Sequence, residues 1–535
     1  MAQTIVPGEV LGPSPGFRRE VGLWALMFVS LGTIIGSGWL VGALTAATSA
    51  GGASIVSYAL AGVVIVLLAL VHAELGAAYP FAGGTGRWPR WVFGSLGGFT
   101  AGWVAWLQAV TPAPIEVEAA LGYLDHTWHG LIKTSGALTP KGLGTAAALM
   151  LLFAVINLLG VQWLAKTNTI AVLWKLAVPV LTIGVLIVVS FQPSNFTAGG
   201  GFAPYGAHGV FAALPLGVVF SLQGFEQATQ LAGEARDPQR NVPRAVIGAV
   251  VIGTLLYLAL EIAFIGALNP SNLVHGWVHP VSKGDFGPYA TLATELGLGW
   301  LAFILYVDAF ISPADTALIY MGASARLAYG LGHSGYVPKG VSALSSRGVP
   351  YTSIILAFVV GLICFLPFPS WQSLVGLVTD ATVIMYAFAP ITLMALRKAD
   401  PGRCRPYRLR APSILAPLAF IAANEIIYWT SWDTVEKLML AIVVGYVVFG
   451  ISFVVGRPME RPPLDLPALI WILPWFIGLA VISYHGQYGG TKLIPEWVDL
   501  GVVAVFSLVI FFVAVQLRLP ADRVAAAIED ELKTA

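Results

Sequence analysis

Fourteen stretches of the chain run for about 20 residues with few charged side chains. At about 1.5 Å rise per residue, that is the length an α-helix needs to cross roughly 30 Å of hydrocarbon. They cover residues 22–47, 54–79, 96–123, 145–163, 168–191, 210–232, 244–267, 292–322, 350–367, 371–396, 412–430, 435–456, 466–484 and 498–518. The pattern predicts an all-α, polytopic membrane protein. No segment between or beyond these runs exceeds about thirty residues, too short for a separate soluble domain. Whatever chemistry the chain performs is therefore expected inside the bilayer.

Counting lysines and arginines on alternate sides gives an orientation, because cytoplasmic loops keep positive charge. With the N-terminus inside, 22 of the 28 fall on the cytoplasmic side, among them Arg87, Arg90, Arg236, Arg240, Arg244, Arg397, Lys398, Arg403, Arg405, Arg408 and Arg410. Lys133, Lys141, Lys283, Lys437 and Lys492 fall outside, and Lys175 lies within a span. Both termini are expected in the cytoplasm. Residues 1–20 hold no apolar run, so the first span is expected to act as the targeting signal in place of a cleaved leader. The tail after Ala521 suits a short surface helix.

Composition narrows the class further. Charged residues make up 10% of the chain, against about 25% in soluble domains, and hydrophobic residues 57%, with a mean hydropathy of +0.81. That excludes both a water-soluble globule and a disordered chain. A net charge of +1 without a basic tract excludes nucleic acid as a partner. Cys364 and Cys404 have neither metal-site spacing nor an evident disulfide partner, and no metal or cofactor is expected. An enzyme would need a catalytic set at one depth. Of the eight histidines only His72 lies away from loops and span ends, and His72 with Glu74 lacks the spacing of a metalloprotease helix. Both read as helix-end residues. Trp103 and Trp106, three apart, suit packing or an interfacial belt. A channel would show a repeated filter sequence, and none is visible.

Two spans are interrupted by glycine. The first holds Gly32-Thr33-Ile34-Ile35-Gly36-Ser37-Gly38 and the sixth Ser221-Leu222-Gln223-Gly224-Phe225-Glu226. Small residues permit close helix packing; equally, paired Gly-interrupted spans point to a transporter site, where unwound backbone lines a cavity. Composition alone does not separate the two. Lys175 is the one basic residue deep in a span. It suits either an ammonium that snorkels to the nearby interface or an intramembrane functional group, and the second is favoured. Carboxylates at membrane depth are Glu116, Glu118, Glu226, Glu261, Asp308, Asp315, Asp380 and Glu425. Asp308 and Asp315, two helical turns apart, share a face, as either a water-lined surface or a proton relay.

Gly36-Ser37-Gly38 resembles the first-helix motif of the amino acid-polyamine-organocation transporter superfamily, and Gly224-Phe225-Glu226 its sixth-helix motif. Ala73 to Pro80 with Gly83-Gly84, Gly233 to Ala245, and Ser324 to Tyr329 with Gly335, Pro338 and Gly348-Val349-Pro350 are similar to three further stretches of that family. The region from Gly94 through Pro114-Ile115-Glu116-Val117-Glu118-Ala119 is similar to its aspartate-proton symporter branch. Thr85-Gly86-Arg87-Trp88-Pro89 departs from the family's aromatic pattern.

The resemblance implies a LeuT-like fold: a five-helix repeat over 22–191, an inverted five-helix repeat over 210–396, and four accessory spans over 412–518, flanked by tails 1–21 and 519–535. It implies that amides of Ile35, Gly36, Ser37 and Gly38 hold a substrate carboxylate. Carbonyls around Phe220, Ser221, Gln223 and Gly224 would face its amine, with Gln223 also within reach of a side chain. Lys175 aligns with a lysine that fills the sodium place of sodium-coupled relatives, and Thr316 is its expected hydroxyl partner. By family position Glu226 is a proton-site candidate, as well as a capping or gate residue.

Together these imply an amino acid importer driven by protons, working by alternating access in the cell membrane. A sodium-independent amino acid/amine exchanger and an amino-acid sensor on a transporter fold remain as alternatives. The branch suggests aspartate. One intramembrane cation against eight carboxylates suggests instead a neutral or cationic amino acid.

Overall fold

Hydrocarbon offers backbone amides and carbonyls no water, so apolar runs of this length satisfy them internally as helices. The computed structural model describes residues 20–81, 83–133, 135–159, 162–281, 287–346, 348–366, 370–456 and 461–534, and among them it is all-helical. The tail up to residue 19, Lys283 and the last residue lie outside the described set.

In chain order the helices are α1 (Leu23–Ile34), α2 (Ser37–Ala50), α3 (Ser54–Ala78), α4 (Gly84–Val110), α5 (Pro112–Asp125), α6 (Pro140–Leu159) and α7 (Gln162–Ser190). There follow α8 (Gly206–Ala213), α9 (Val219–Ser221), α10 (Glu226–Gln230), α11 (Pro238–Ala267), α12 (Pro270–Leu273), α13 (Pro288–Glu295) and α14 (Gly299–His333). The last are α15 (Tyr351–Cys364), α16 (Trp371–Ala399), α17 (Pro412–Trp429), α18 (Trp432–Val455), α19 (Leu469–His485), α20 (Val498–Gln516) and α21 (Ala521–Thr534).

Ten segments among the described residues are long and apolar enough to cross a membrane, and Leu23–Ile34, Gly206–Ser221 and Tyr351–Cys364 are apolar but shorter. The first and sixth expected spans are each divided. So is the third: it was expected as one run over 96–123, and Thr111 separates α4 from α5, with Pro112 opening the second piece. Proline at the first helical position lacks the N–H that would be orphaned there anyway.

The pieces are arranged around α16, in which every residue of an 18-residue apolar window is buried. It packs against α4, α17 and α3, while α3 lies along α11 and α14 along α5. Outward faces are apolar instead of polar: Leu159, Ile170, Val188, Val454 and Val455 are each at least 70% exposed. A surface of that kind is stable only against lipid.

Charged groups fasten the ends of the bundle. Arg397, near the end of α16, grips fully buried Glu74 on α3 through Nε (2.8 Å) and Nη2 (2.5 Å), and the Leu409 amide donates to the same carboxylate at 2.6 Å. Asp400 accepts from Tyr79 Oη (3.0 Å) and Arg403 Nε (2.8 Å), which pins the loop after α16 to the end of α3. Glu74 is thus a helix-end residue with a structural task. The tail does form a helix, and it docks: Val524 and Ile528 are fully buried, Arg523 pairs with Asp465 at 2.8 Å and Glu531 with Arg87. Asp465 Oδ2 also accepts from Ser95 N at 3.1 Å, across from Gly94, whose φ of +69° kinks α4.

Breaking a buried pair by removing one partner strands the other, at a cost of about 3–5 kcal/mol. Glu74→Ala is therefore expected to lower the melting temperature of the detergent-solubilised protein markedly, while Arg240→Ala, whose pair with Asp237 is exposed and spans 3.9 Å, leaves it unchanged.

Candidate substrate and coupling site

α1 stops at Ile34 and α2 starts at Ser37. Between them Ile35 (φ −94°, ψ 82°) and Gly36 (φ −114°, ψ −144°) leave the helical region. Each helix end presents up to four unpaired backbone groups, carbonyls from α1 and amides from α2. Side chains from other helices meet them. Lys175 Nζ on α7 donates to Gly32 O at 2.8 Å and Tyr257 Oη on α11 to Ile34 O at 2.9 Å. On the amide side Ser37 N donates to Glu116 Oε2 of α5 at 2.7 Å, and Trp371 Nε1 donates to Ser37 Oγ at 3.1 Å.

The second break is made differently. After α8 the chain widens through a π turn, Leu214–Val218, forms one turn as α9, and unwinds until Glu226 opens α10. Gly224 has φ +119°, a conformation that side chains disfavour, and a Cβ there would lie 2.6 Å from Thr33 Oγ1. α1 closes on this segment. Thr33 Oγ1 donates to Gly224 O (3.0 Å), and Ser30 Oγ donates to Phe225 O (3.1 Å) and accepts from Ala228 N (3.2 Å). Glu226 Oε2 accepts from Tyr386 Oη at 2.5 Å and from Gly224 N at 3.1 Å.

A cavity lies between the two breaks. Its walls are Thr33, Ile34, Gly36 and Gly38 from the first, Phe220 and Gln223 from the second, Pro112 and Glu116 from α5, and Thr316 and Tyr320 from α14. Of the substrate residues expected from sequence, Gly36, Gly38, Phe220 and Gln223 line this space. Ile35, Ser37, Ser221 and Gly224 stand behind it, with Ser221 packed on Gly38 and Gly224 on Thr33. Gln223 Oε1 accepts from Thr382 Oγ1 at 3.0 Å, which leaves its Nε2 without a partner among the described residues.

Lys175, fully buried, also donates to Thr316 Oγ1 at 2.8 Å and lies 2.8 Å from Asp315 Oδ2. It does not snorkel. A buried ammonium persists only with such compensation. Asp308, on the same face of α14, accepts from Trp174 Nε1 (2.8 Å), Trp39 Nε1 (3.1 Å) and Ser312 Oγ (2.7 Å). Asp308 and Asp315 thus both face α7, one toward an indole and one toward an ammonium. Glu226 is absent from the cavity wall and sits under the second break. His72, also buried, has its ring against Phe225 and Tyr386 beside Glu226. Trp103 packs on Trp106 and donates to Ala441 O at 3.0 Å.

Glu116 is the site residue that motif matching did not assign. It was visible as one of several carboxylates at depth and within the stretch similar to the aspartate-proton symporter branch, without a role, and its position follows from Pro112, which opens α5.

A bundle of apolar, membrane-length helices with two broken helices enclosing a polar cavity fits a membrane transporter of small solutes. The amino acid permease family model matches residues 21–479, and the chain belongs to that family. It is 36% identical over 505 residues to the glutamate/serine transporter AimA of Bacillus subtilis, covering 92% of this chain and 93% of the relative. It is 36% identical over 511 residues to the aspartate-proton symporter of the same species (94% and 97%), and 25% identical over 452 residues to its branched-chain amino acid permease BcaP (81% and 92%). The protein is therefore a multi-pass membrane transporter and not an enzyme.

A Cβ on Gly36 would lie 2.5 Å from Glu116 Oε1 and 3.2 Å from Thr316 Cγ2. Gly36→Ala is expected to lower amino acid uptake into proteoliposomes at least about tenfold, whereas Gly184→Ala, with nothing within 4 Å of the added methyl, leaves it unchanged.

Proposed function

We propose that the chain imports an amino acid together with protons, by alternating access at the cavity between the α1–α2 and α9–α10 breaks. The proposed frame is fourteen membrane crossings: five helices, five more in inverted topology, and four accessory ones, with both termini in the cytoplasm. The substrate's carboxylate would be held by the amide end of α2 around Ile35 to Gly38, where the half-helix dipole favours an anion. Its amine would face the carbonyls from Phe220 to Gly224.

The observation that carries this reading is the Lys175 ammonium between Gly32 O at the carbonyl end of α1 and Thr316 with Asp315 on α14. A half-helix C-terminus beside a hydroxyl and a carboxylate is a cation site, and here the cation is part of the chain. Sodium has no role left at that point. Lys175, Thr316, Asp315, Asp308 and Glu226 are the proposed coupling groups.

For the substrate we take an acidic or short polar amino acid. The names of the two relatives at 36% identity, a glutamate/serine transporter and an aspartate-proton symporter, support this. So does Gln223 Nε2, without a partner among the described residues and an uncharged donor suited to a side-chain oxygen. Such a donor weakens the charge argument for a neutral or cationic substrate, because an acidic side chain does not need a second buried cation.

In proteoliposomes, labelled L-serine uptake is expected to follow an inward proton gradient, to ignore sodium, and to be competed by L-glutamate or L-aspartate at two pH values. Lys175→Met is expected to lower proton-driven uptake at least about tenfold without rescue by sodium. Uptake that needs a sodium gradient and ignores pH overturns the reading, and uptake that depends only on internal amine assigns the chain to exchange.

A further inference from the structure

The place proposed for the substrate's carboxylate is already filled by one. Glu116 reaches from α5 to the first turn of α2, takes the Ser37 amide at 2.7 Å through Oε2, and holds Oε1 2.5 Å from where a Gly36 Cβ would lie. The residue is 1% exposed, yet its side chain lines the cavity between the breaks. Glu118, two residues on and so about 200° around the same helix, is buried as well but has no hydrogen-bond partner among the described residues.

We propose that Glu116 is a built-in stand-in for the substrate's carboxylate, and that substrate binding displaces it from the Ser37 amide and obliges it to take up one proton. This rests on the proton-coupled reading above and adds the group that links substrate to proton.

The argument is one of charge. The amide end of a single half-helix is worth roughly half a positive charge, enough for one carboxylate. Two carboxylates in one closed site do not both stay ionised. Among the described residues, the groups facing Glu116 offer no second cation. Lys175 on α7 is committed to Asp315, Thr316 and Gly32 O; Tyr257 on α11 donates to Ile34 O. Tyr320 on α14 lines the same cavity and carries an uncharged phenol, and Ser37 on α2 has its hydroxyl accepting from Trp371. When a substrate carboxylate takes the Ser37 amide, the Glu116 carboxylate combines with a proton from the open side to give the neutral acid. When the substrate leaves, Glu116 releases that proton on the other side and regains the amide. The site holds one carboxylate in both states, so the empty carrier can close and return.

The test is proton uptake on binding. Purified wild-type protein in weakly buffered detergent, titrated with L-serine and in parallel with L-glutamate, is expected to take up about one proton per bound substrate. In Glu116→Gln the uptake falls below about a tenth of a proton per substrate, with binding retained and its pH dependence flattened, while Glu116→Asp, still able to titrate, keeps the proton. A Glu116→Gln protein that still takes up one proton overturns the proposal. If that variant does not fold, the wild type still decides: substrate binding with no proton uptake overturns it, and proton uptake accompanied by a rising protonated-carboxyl infrared band that is shifted in Glu116→Asp supports it. Wild type that binds neither amino acid fails the functional reading itself, a result separate from either of these.

Discussion

A helix that stops halfway across a bilayer leaves carbonyls on one side of the gap and amides on the other, each costing several kcal/mol if left bare in hydrocarbon. The break at Ile35 and Gly36 imposes that debt, and the neighbouring helices are placed to meet it. α7 supplies an ammonium and α11 a phenol for the carbonyls; α5 supplies a carboxylate for the amides. The three come from far apart in the chain, so the break can exist only where α5, α7 and α11 converge. In the proposed mechanism a substrate enters by replacing one of these partners, so that the backbone of the gap stays bonded.

The rest of the bundle keeps that convergence in register. α16, buried throughout, carries Tyr386 to Glu226 and Thr382 to Gln223, and so holds the second break as α5 and α7 hold the first. Ser30 and Thr33 then tie the two breaks to each other. At the far end of α16, Arg397 clamps Glu74 of α3. A displacement at the cavity that moves α1 must strain short hydroxyl–carbonyl bonds at mid-membrane. These are neutral hydrogen bonds, each worth about 1 kcal/mol net, and so are far easier to exchange than the charged clamp of Glu74.

Much of this was legible in the sequence. Runs of about 20 apolar residues announce helices, because hydrocarbon leaves no other way to satisfy a backbone. Gly32 to Gly38 and Ser221 to Glu226 announced the breaks. The pairing of Lys175 with Thr316 could be expected from motif alignment, and the structure puts them 2.8 Å apart. What stayed hidden depends on depth and rotation, which sequence spacing does not give. Eight carboxylates at similar depth look alike in sequence. In three dimensions Asp308 meets two indoles, Asp315 an ammonium, Glu226 a phenol and Glu116 a backbone amide, so each has a different chemistry. The division of the third span at Thr111 was hidden for another reason: apolar length alone does not show that Pro112 begins a new helix.

Using dipoles instead of fixed cations to hold the anion has a consequence for turnover. A bidentate arginine would bind a carboxylate through strong charge-assisted hydrogen bonds and discriminate sharply for geometry. A half-helix end holding one carboxylate through amides is weaker, and it accepts any carboxylate of similar reach, whether on a free amino acid or on Glu116. Among the described residues the one cation at the breaks, Lys175, is paired with Asp315 and turned toward the Gly32 carbonyl and the Thr316 hydroxyl. On the proposed reading, this keeps the site from binding its substrate too tightly to release it. The scarcity of charge that first marked this chain as a membrane protein is the same scarcity that would let the proposed anion site exchange one occupant for another.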